Sequence, residues 1–454
     1  LEQKRFVYKI VPYKHRYPHC WRCGEELVFR LVNEWYIKAK EIRNKLIGEN
    51  KKIKWFPEYG RKRQEEWFNN MSDWLISRKR YWGLPLPIWE CDCGNIEVIG
   101  SLKELKEKAV DKKKVDKLPE IHRPWIDEIK IKCEKCGEEI KRIEDVGDAW
   151  LDAGIVPFST LNYITDRAYW KRWFPANLIS ENMPGQYRGW FNALMWASVT
   201  ITGKMPFKAM LGYETLKDEK GEEMHKSKGN AIWFDEAVEK MGADPMRLLY
   251  CLQDPSQELR FGFHVIKEPR NNLNIFYNVS KLIEKSKDSI SRVSKVEDRW
   301  VISKFNSLIK TVTKELEELH PHQATRALQN FWLNDLSRGY IQFIRDRISE
   351  EDKDVKSFLS EIYIGLIKLC APFIPFITES LWQELKKDKI VKEESIHLSN
   401  WPKYDNKKID KKLESEFNFV MNIIEKGLAE REKAGIGLKW PLAYAKVVID
   451  NRIF

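Results

Sequence analysis

Three textures follow one another in the spacing of apolar and polar residues. Up to about residue 145, short apolar runs alternate with cysteine pairs, glycines and prolines, as in small β-rich modules. Inside that region, residues 106–117 are mostly charged and read as a solvated helix end and loop. From about 146 to 265, the runs 155–161, 193–201 and 209–216 are apolar and bounded by short polar turns. This predicts the buried strands and helices of a parallel α/β sheet. From about 266 onward the period becomes helical. Phe305, Leu308, Ile309, Val312, Leu316 and Leu319 share one face, and Phe331, Trp332, Leu336, Tyr340, Phe343 and Ile344 continue the habit. Phe417, Val420, Ile423, Ile424 and Leu428 repeat it, and few glycines interrupt, so a helical bundle is expected.

Composition changes this picture only in part. A chain of 454 residues is too long for one core and suggests about two to four domains. With 43% hydrophobic and 32% charged residues it is globular, which excludes disordered and collagen-like classes. Nineteen tryptophans favour aromatic-lined pockets. Lysine and arginine total 79 against 68 acids, a net charge of +11 that suits a polyanionic partner without identifying one. The uncharged stretch 189–203 is 15 residues, short of the roughly 20 needed to span a bilayer, so no membrane role is expected. The chain opens on Leu1 with no signal-peptide pattern, so it is expected to begin inside a longer reading frame and to work in the reducing cytosol.

Six of the eight cysteines form close pairs. Cys91-Asp-Cys93-Gly and Cys133-Glu-Lys-Cys136-Gly each deliver two thiolates from one turn, and two such knuckles complete the tetrahedron that structural zinc prefers. The following glycines permit the positive φ that turns backbone amides toward sulfur. Cys91, Cys93, Cys133 and Cys136 are therefore the expected Zn²⁺ ligands, with redox or metal-free thiols as the alternatives. Cys20-Trp-Arg-Cys23-Gly is a third knuckle without a partner pair, either half of a metal site or two free thiols. Cys251 and Cys370 stand in apolar surroundings and read as inert core residues.

Glu223-Met-His-Lys-Ser-Lys-Gly-Asn230 follows a strand-like run and an Asp218-Glu-Lys-Gly221 turn. Such a cationic loop can hold a triphosphate whose charge shifts during reaction, by positioning and electrostatics without a covalent nucleophile. Taken alone, such a loop is usually a solvated surface turn. Beyond it, in Ala243-Asp-Pro-Met-Arg247, Asp244 is placed to cap a helix with Pro245 in the first turn.

Taken together, these segments resemble the class I aminoacyl-tRNA synthetases, most of all the isoleucyl type. Met224-His-Lys-Ser-Lys228-Gly-Asn resembles the KMSKS signature, and Asp73-Trp-Leu-Ile-Ser-Arg-Lys-Arg-Tyr-Trp-Gly83 the WCISRQRYWG stretch. Asp148-Ala-Trp-Leu-Asp-Ala-Gly154 is similar to DVWFDSG, and Gln186-Tyr-Arg-Gly-Trp-Phe191 to DQTRGWF. Tyr17-Pro-His-Cys-Trp-Arg-Cys23 and His122-Arg-Pro-Trp-Ile-Asp127 match isoleucyl-type segments. In the bundle, Ala371-Pro-Phe-Ile-Pro-Phe-Ile-Thr-Glu379 and Ser395-Ile-His-Leu-Ser-Asn-Trp-Pro402 resemble marks of the anticodon-binding domain.

The resemblance implies an α/β plus all-α protein, the second half of a Rossmann-like catalytic fold with a zinc-bearing β-rich insertion, then a helical anticodon-binding bundle. The expected segments are 1–72, the end of a connective insertion; 73–145, a catalytic-domain insertion with the zinc knuckles; 146–265, the catalytic half with the lysine loop; and 266–454, the bundle. The implied reaction is ATP- and Mg²⁺-dependent activation of isoleucine, then transfer to the 3′ end of tRNA(Ile), by an enzyme monomeric when complete. Lys226 takes the catalytic lysine's place, with His225, Lys226, Ser227 and Lys228 on ATP. Trp150, Glu181, Gln186 and Trp190 fall to the amino-acid pocket. Ser77, Arg78 and Arg80 fall to the tRNA acceptor end, with a structural ion-pair network as their alternative.

There are departures. No His-x-Gly-His motif occurs and the editing domain of the family is absent, so a C-terminal portion is expected. Glu223 replaces the first signature lysine, His225 its serine, Tyr213-Glu214 the family's His-Gly, and Pro184-Gly185 an expected aspartate. A non-catalytic tRNA-binding paralogue and a valine–tRNA ligase are the rival readings.

Overall fold

The parallel sheet anticipated for the middle of the chain is present, with a third strand drawn from upstream. In the computed structural model, which describes residues 3–20, 23–283 and 295–448 (the Ser227 side chain excepted), strand Phe207–Tyr213 lies between Ala176–Asn182 and Lys54–Phe56. All three run parallel. Asn182 pairs with Tyr213 and Leu211 with Phe56, so the three carboxyl ends share one edge. Helix Trp190–Thr202 carries the chain between the first two strands, and its residues Phe191, Leu194, Met195, Trp196 and Val199 are buried. A helix apolar on most sides belongs inside a fold, which is what its uncharged sequence required.

The chain divides into two compact units that interleave in sequence. The first comprises Leu1–Ile47, Phe68–Arg167 and Ala193–Lys204; the second comprises Gly48–Trp67, Ala168–Asn192 and Met205–Phe454. In the first, hairpins Ile88–Glu90 with Ile96–Val98 and Lys130–Lys132 with Glu139–Lys141 carry the cysteine knuckles in their turns. The charged stretch 106–117 departs from its reading as a solvated helix end and loop. It forms parts of two short helices, Leu102–Lys108 and Lys112–Asp116, whose starts are capped by Ser101 and Asp111. Leu105, Ala109 and Val115 turn inward onto Trp89, Ile126, Ile131 and Ile140. Two apolar positions within the stretch, with Leu105 just before it, anchor it among many lysines.

In the second unit the helical stripes are in place. Phe305, Leu308, Ile309 and Val312 are buried in helix Val296–Glu317, whereas Leu319 lies past its end at φ 66°. Phe331–Tyr340 winds as a π-helix, and helices Lys353–Cys370 and Pro375–Lys387 close the core. Only the first turns of helix Lys411–Lys433 meet that core. Leu413 is buried and Phe417 stacks on Trp300 at 4.8 Å, while Val420, Ile424 and Leu428 are exposed. Cys370 is buried, as expected of a core thiol. Among the described residues no helix is long and apolar enough to cross a membrane.

Asp244 does cap a helix, but not its own. It sits inside helix Ala243–Leu252, where Gly242 holds the N-cap position. Its carboxylate accepts from the Phe376 and Ile377 N–H groups at 3.3 and 2.5 Å, capping Pro375–Lys387 instead. Arg247 donates to the Phe373 and Pro372 carbonyls at 3.0 and 2.9 Å. Two separated sequence motifs, 243–247 and 371–379, are thus one joint.

A second buried charge holds the bundle. The Asp298 side chain is fully buried, taking the Tyr340 hydroxyl at 2.7 Å and the Arg347 guanidinium at 3.0 and 3.1 Å. Asp298→Ala takes the buried carboxylate from Arg347, which keeps only Glu297 at 3.5 Å and Asp352 at 3.3 Å, and leaves the Tyr340 hydroxyl without this acceptor. Breaking one side of such a pair costs roughly 3–5 kcal/mol, so a drop in the denaturant midpoint of the bundle is expected, and an unchanged midpoint would refute the role.

Candidate functional site

Parallel sheets place ligands at their carboxyl edge, because helix starts and loops converge there. Here that edge carries Glu181 and Asn182 from one strand and Tyr213 with the following Glu214 from the next. Met183, fully buried, packs where a side chain on Gly212 would stand, and takes the Tyr187 hydroxyl on its sulfur at 3.2 Å. The Tyr59 hydroxyl donates to Glu214 Oε1 at 2.9 Å, and burial together with that carboxylate pushes its pKa up to about 12. Tyr59 therefore stays a neutral donor at physiological pH. The sequence marked Glu214 as a departure but gave no sign of its partner.

Gln186 ends the short helix Met183–Gln186, and its Oε1 accepts from the Trp190 backbone N–H at 3.0 Å. It thereby caps the crossover helix. Glu181 Oε1 accepts from the Asn182 N–H at 2.8 Å. Glu181, Gln186 and Trp190 thus cluster at one strand end and helix start, all half-buried in the second unit. Trp150 belongs to the first unit, 38% exposed, in the first turn of helix Ala149–Gly154.

The lysine loop is framed by its own turn residues. Asp218 accepts from the Lys220 and Glu222 N–H groups at 3.0 and 2.8 Å and from Asn230 Nδ2 at 2.9 Å. Asn230 also takes the His225 N–H and donates to the Glu223 carbonyl, so both ends of the loop are tied to one amide. Asn230, then the backbone donors, hold Asp218 below the usual carboxylate range, so the clamp stays charged at neutral pH. Met224 anchors the loop against Met241, Met246 and Phe261. Lys226–Lys228 forms a single 3₁₀ turn closed by Gly229 at φ 71°. Lys226 Nζ rests 4.5 Å from the Trp233 ring centre, a cation–π contact, and His225 faces Glu223 at 3.3 Å. Neither Lys226 nor Lys228 pairs with a carboxylate among the described residues. Such lysines are available to an anion. Ser227's side chain lies outside the described residues.

Ser77, Arg78 and Arg80 separate by depth. Ser77 is buried, donating to Glu34 and accepting from the Trp35 N–H at 2.8 Å. Arg78 pairs with Asp148 at 2.9 Å, and the same carboxylate oxygen takes Trp74 Nε1 at 3.0 Å. Asp148 also caps helix Ala149–Gly154, making it a hub that the sequence motif did not announce. Arg80 is exposed.

The four sulfurs of Cys91, Cys93, Cys133 and Cys136 all lie within 4.8 Å of one another. Cys91 and Cys136 are 3.4 Å apart, Cys93 and Cys133 3.7 Å. A tetrahedron of thiolates at about 2.3 Å has edges of about 3.8 Å, so the donor set fits a metal. Gly94 and Gly137 take φ of 80° and 81°, and each N–H turns back to the first cysteine's carbonyl at 2.8 Å. The Cys136 N–H aimed at its sulfur outweighs partial desolvation and holds the Cys133 thiol down to about 6. Cys20 and Cys23 share this turn, with Gly24 at φ 78° and its N–H on the Cys20 carbonyl, and among the described residues they belong to no cluster of three or more side chains placed to hold a metal. Trp21 and Arg22 between them lie outside the described residues.

Comparison with known proteins gives two family matches. The family model for tRNA synthetases class I (I, L, M and V) matches residues 12–262, and that for the anticodon-binding domain of tRNA ligase matches 298–449. The isoleucine–tRNA ligase of Methanopyrus kandleri is 34% identical, over 96% of this chain and 43% of its own length. Those of Pyrococcus furiosus and Saccharolobus solfataricus are 37% and 36% identical, over 100% and 98% of this chain and 45% and 46% of theirs. The chain spans less than half the length of these relatives. Among solved structures, LeuRS of Agrobacterium radiobacter K84, in a ternary complex with tRNA and LeuAMS, superposes with a TM-score of 0.57 at 19% identity, over 75% of this chain and 43% of that one. Methionyl-tRNA synthetase of Mycobacterium tuberculosis, bound by methionyl-adenylate, gives 0.57 at 15% identity, over 80% and 65%. These two likenesses establish the fold.

Proposed function

Because the chain belongs to the class I tRNA synthetases of the isoleucine, leucine, methionine and valine group, we propose that it serves an isoleucine–tRNA ligase of the cytosol. In that reaction the isoleucine carboxylate attacks the α-phosphorus of ATP, pyrophosphate leaves, and a hydroxyl of the tRNA's terminal ribose then displaces AMP. The observation that carries the reading is the Lys226–Lys228 turn: two cations free of carboxylates among the described residues, on a loop clamped through Asp218 and Asn230. Charge accumulates on the departing pyrophosphate, and fixed cations stabilise it more there than in the bound substrate. Lys226 is the residue assigned to that charge, with His225, Ser227 and Lys228 beside ATP. Its seat on Trp233 keeps the ammonium near the loop without neutralising it.

Glu181, Gln186 and Trp190 are assigned to isoleucine, with Gln186 also holding the crossover helix. Trp150 keeps the same assignment. Of the acceptor-end residues, Arg80 is the one exposed to a phosphate, while Ser77 and Arg78 frame it. Magnesium is expected with the triphosphate. A zinc ion on Cys91, Cys93, Cys133 and Cys136 would supply structural crosslinking, with Cys20 and Cys23 as a half-site. The active enzyme is expected to be monomeric.

The test is ATP–pyrophosphate exchange by the product of the whole reading frame that encodes this chain. Isoleucine is expected to drive exchange about 10- to 200-fold better than valine, the discrimination one methylene permits. Exchange driven better by valine would overturn the substrate assignment, and none with either would overturn the ligase.

A further inference from the structure

The first unit displays an aromatic pair that amino-acid activation leaves unused. Trp82 is 69% exposed, yet its ring is not loose: it stacks on His122 with centroids 3.8 Å apart and planes 27° from parallel. Beside it, Tyr81 is 57% exposed and the Arg123 guanidinium lies 4.9 Å from its ring centre. The support is built from below. Arg123 pairs with Asp127 at 2.7 Å and donates to the Arg80 carbonyl at 3.5 Å. Asp127 is held in turn by Arg142, whose side chain is fully buried and donates to the Leu86 and Asp145 carbonyls at 3.1 and 2.9 Å. Two segments distant in sequence, 80–82 and 121–127, are therefore locked into one platform with a flat ring facing solvent.

We propose that Trp82, backed by His122, is a stacking platform for an unpaired nucleobase at the 3′ end of tRNA, with the Arg80 and Arg123 guanidinium groups beside the adjoining phosphate. This rests on the chain's proposed role as a tRNA ligase. Each part follows from its chemistry. Every base presents a π-face, and single-stranded RNA is held by stacking on aromatic rings rather than by pairing. A rigid indole loses little conformational freedom when covered. Guanidinium forks match phosphate oxygens, and Arg80 pairs with no carboxylate among the described residues. A peptide without acidic side chains would gain the stacking but would leave the cations unanswered.

The experiment compares binding of the full-length protein to intact tRNA(Ile) and to the same tRNA trimmed of its unpaired 3′ nucleotides. Stacking of one base contributes on the order of 5- to 150-fold in affinity. Trimming should cost the wild type that factor. Trp82→Ala should lose it on intact tRNA and lose nothing further on trimming, while Trp82→Phe, which keeps a ring, recovers most of it. Wild-type affinity of Trp82→Ala for intact tRNA overturns the proposal, and so does an equal loss on trimmed tRNA. Metal content and thermal unfolding of the variants check the fold. Isoleucine-dependent exchange without tRNA is run on the wild type alongside: its absence would reject the ligase role and leave the stacking comparison to be judged by itself.

Discussion

Lys226→Ala is expected to lower isoleucine-dependent ATP–pyrophosphate exchange by about 10²- to 10³-fold, the usual effect of removing one fixed donor from a developing anion. The structure makes this a clean deletion. Lys226 makes no ion pair among the described residues, and its aromatic contact, Trp233, is itself 58% exposed. The fold should not notice the loss. The loop is shaped by Asp218, Asn230 and Met224 rather than by the ammonium, so unfolding temperature and metal content should match the wild type. The loss should fall on kcat more than on KM for ATP, because the interaction strengthens as pyrophosphate departs. Full exchange activity in Lys226→Ala would remove the residue from the mechanism. Asn230→Ala provides the contrast: it frees the loop ends from Asp218, and a smaller fall, shared between kcat and KM, is expected.

The second large effect is on stability. Cys133→Ser should abolish stoichiometric metal binding and unfold the cysteine module at a lower temperature than the rest of the protein. The hydrophobic cluster there is small, centred on Trp89, Ile129 and Ile131, and two of its buried members are Cys91 and Cys133 themselves. A core of that size needs a crosslink to stand alone. Structural zinc contributes apparent binding energies of about 10–16 kcal/mol in small modules, so losing one ligand of four removes much of what orders it. Metal analysis together with melting in the presence and absence of a chelator reads the effect. The wild type should behave like the variant once chelated. A Cys133→Ser protein that keeps its full metal complement would show that the cluster is not the site.

Features built from neighbouring residues were legible in the letters. The knuckles with their glycines at positive φ, the stripes of helix Val296–Glu317 and the crossover helix Trp190–Thr202 each depend on residues close in sequence and on a period that burial enforces. Motif order likewise marked the lysine loop, the tryptophan segments and the family. Where one segment answers to another far along the chain, the letters were silent. Asp244 looked like the cap of its own helix and caps Pro375–Lys387; the carboxylate that Arg78 pairs with, Asp148, was not marked as its partner; Trp82 found His122. The charged 106–117 stretch hid its helix caps, and the apolar stripe of Lys411–Lys433 gave no hint that its outer half stays uncovered. The reason is physical: a capping carboxylate, an ion pair or a stacked ring is chosen by which groups folding brings within about 3–5 Å, and that proximity is a property of the packed chain, not of any window along it.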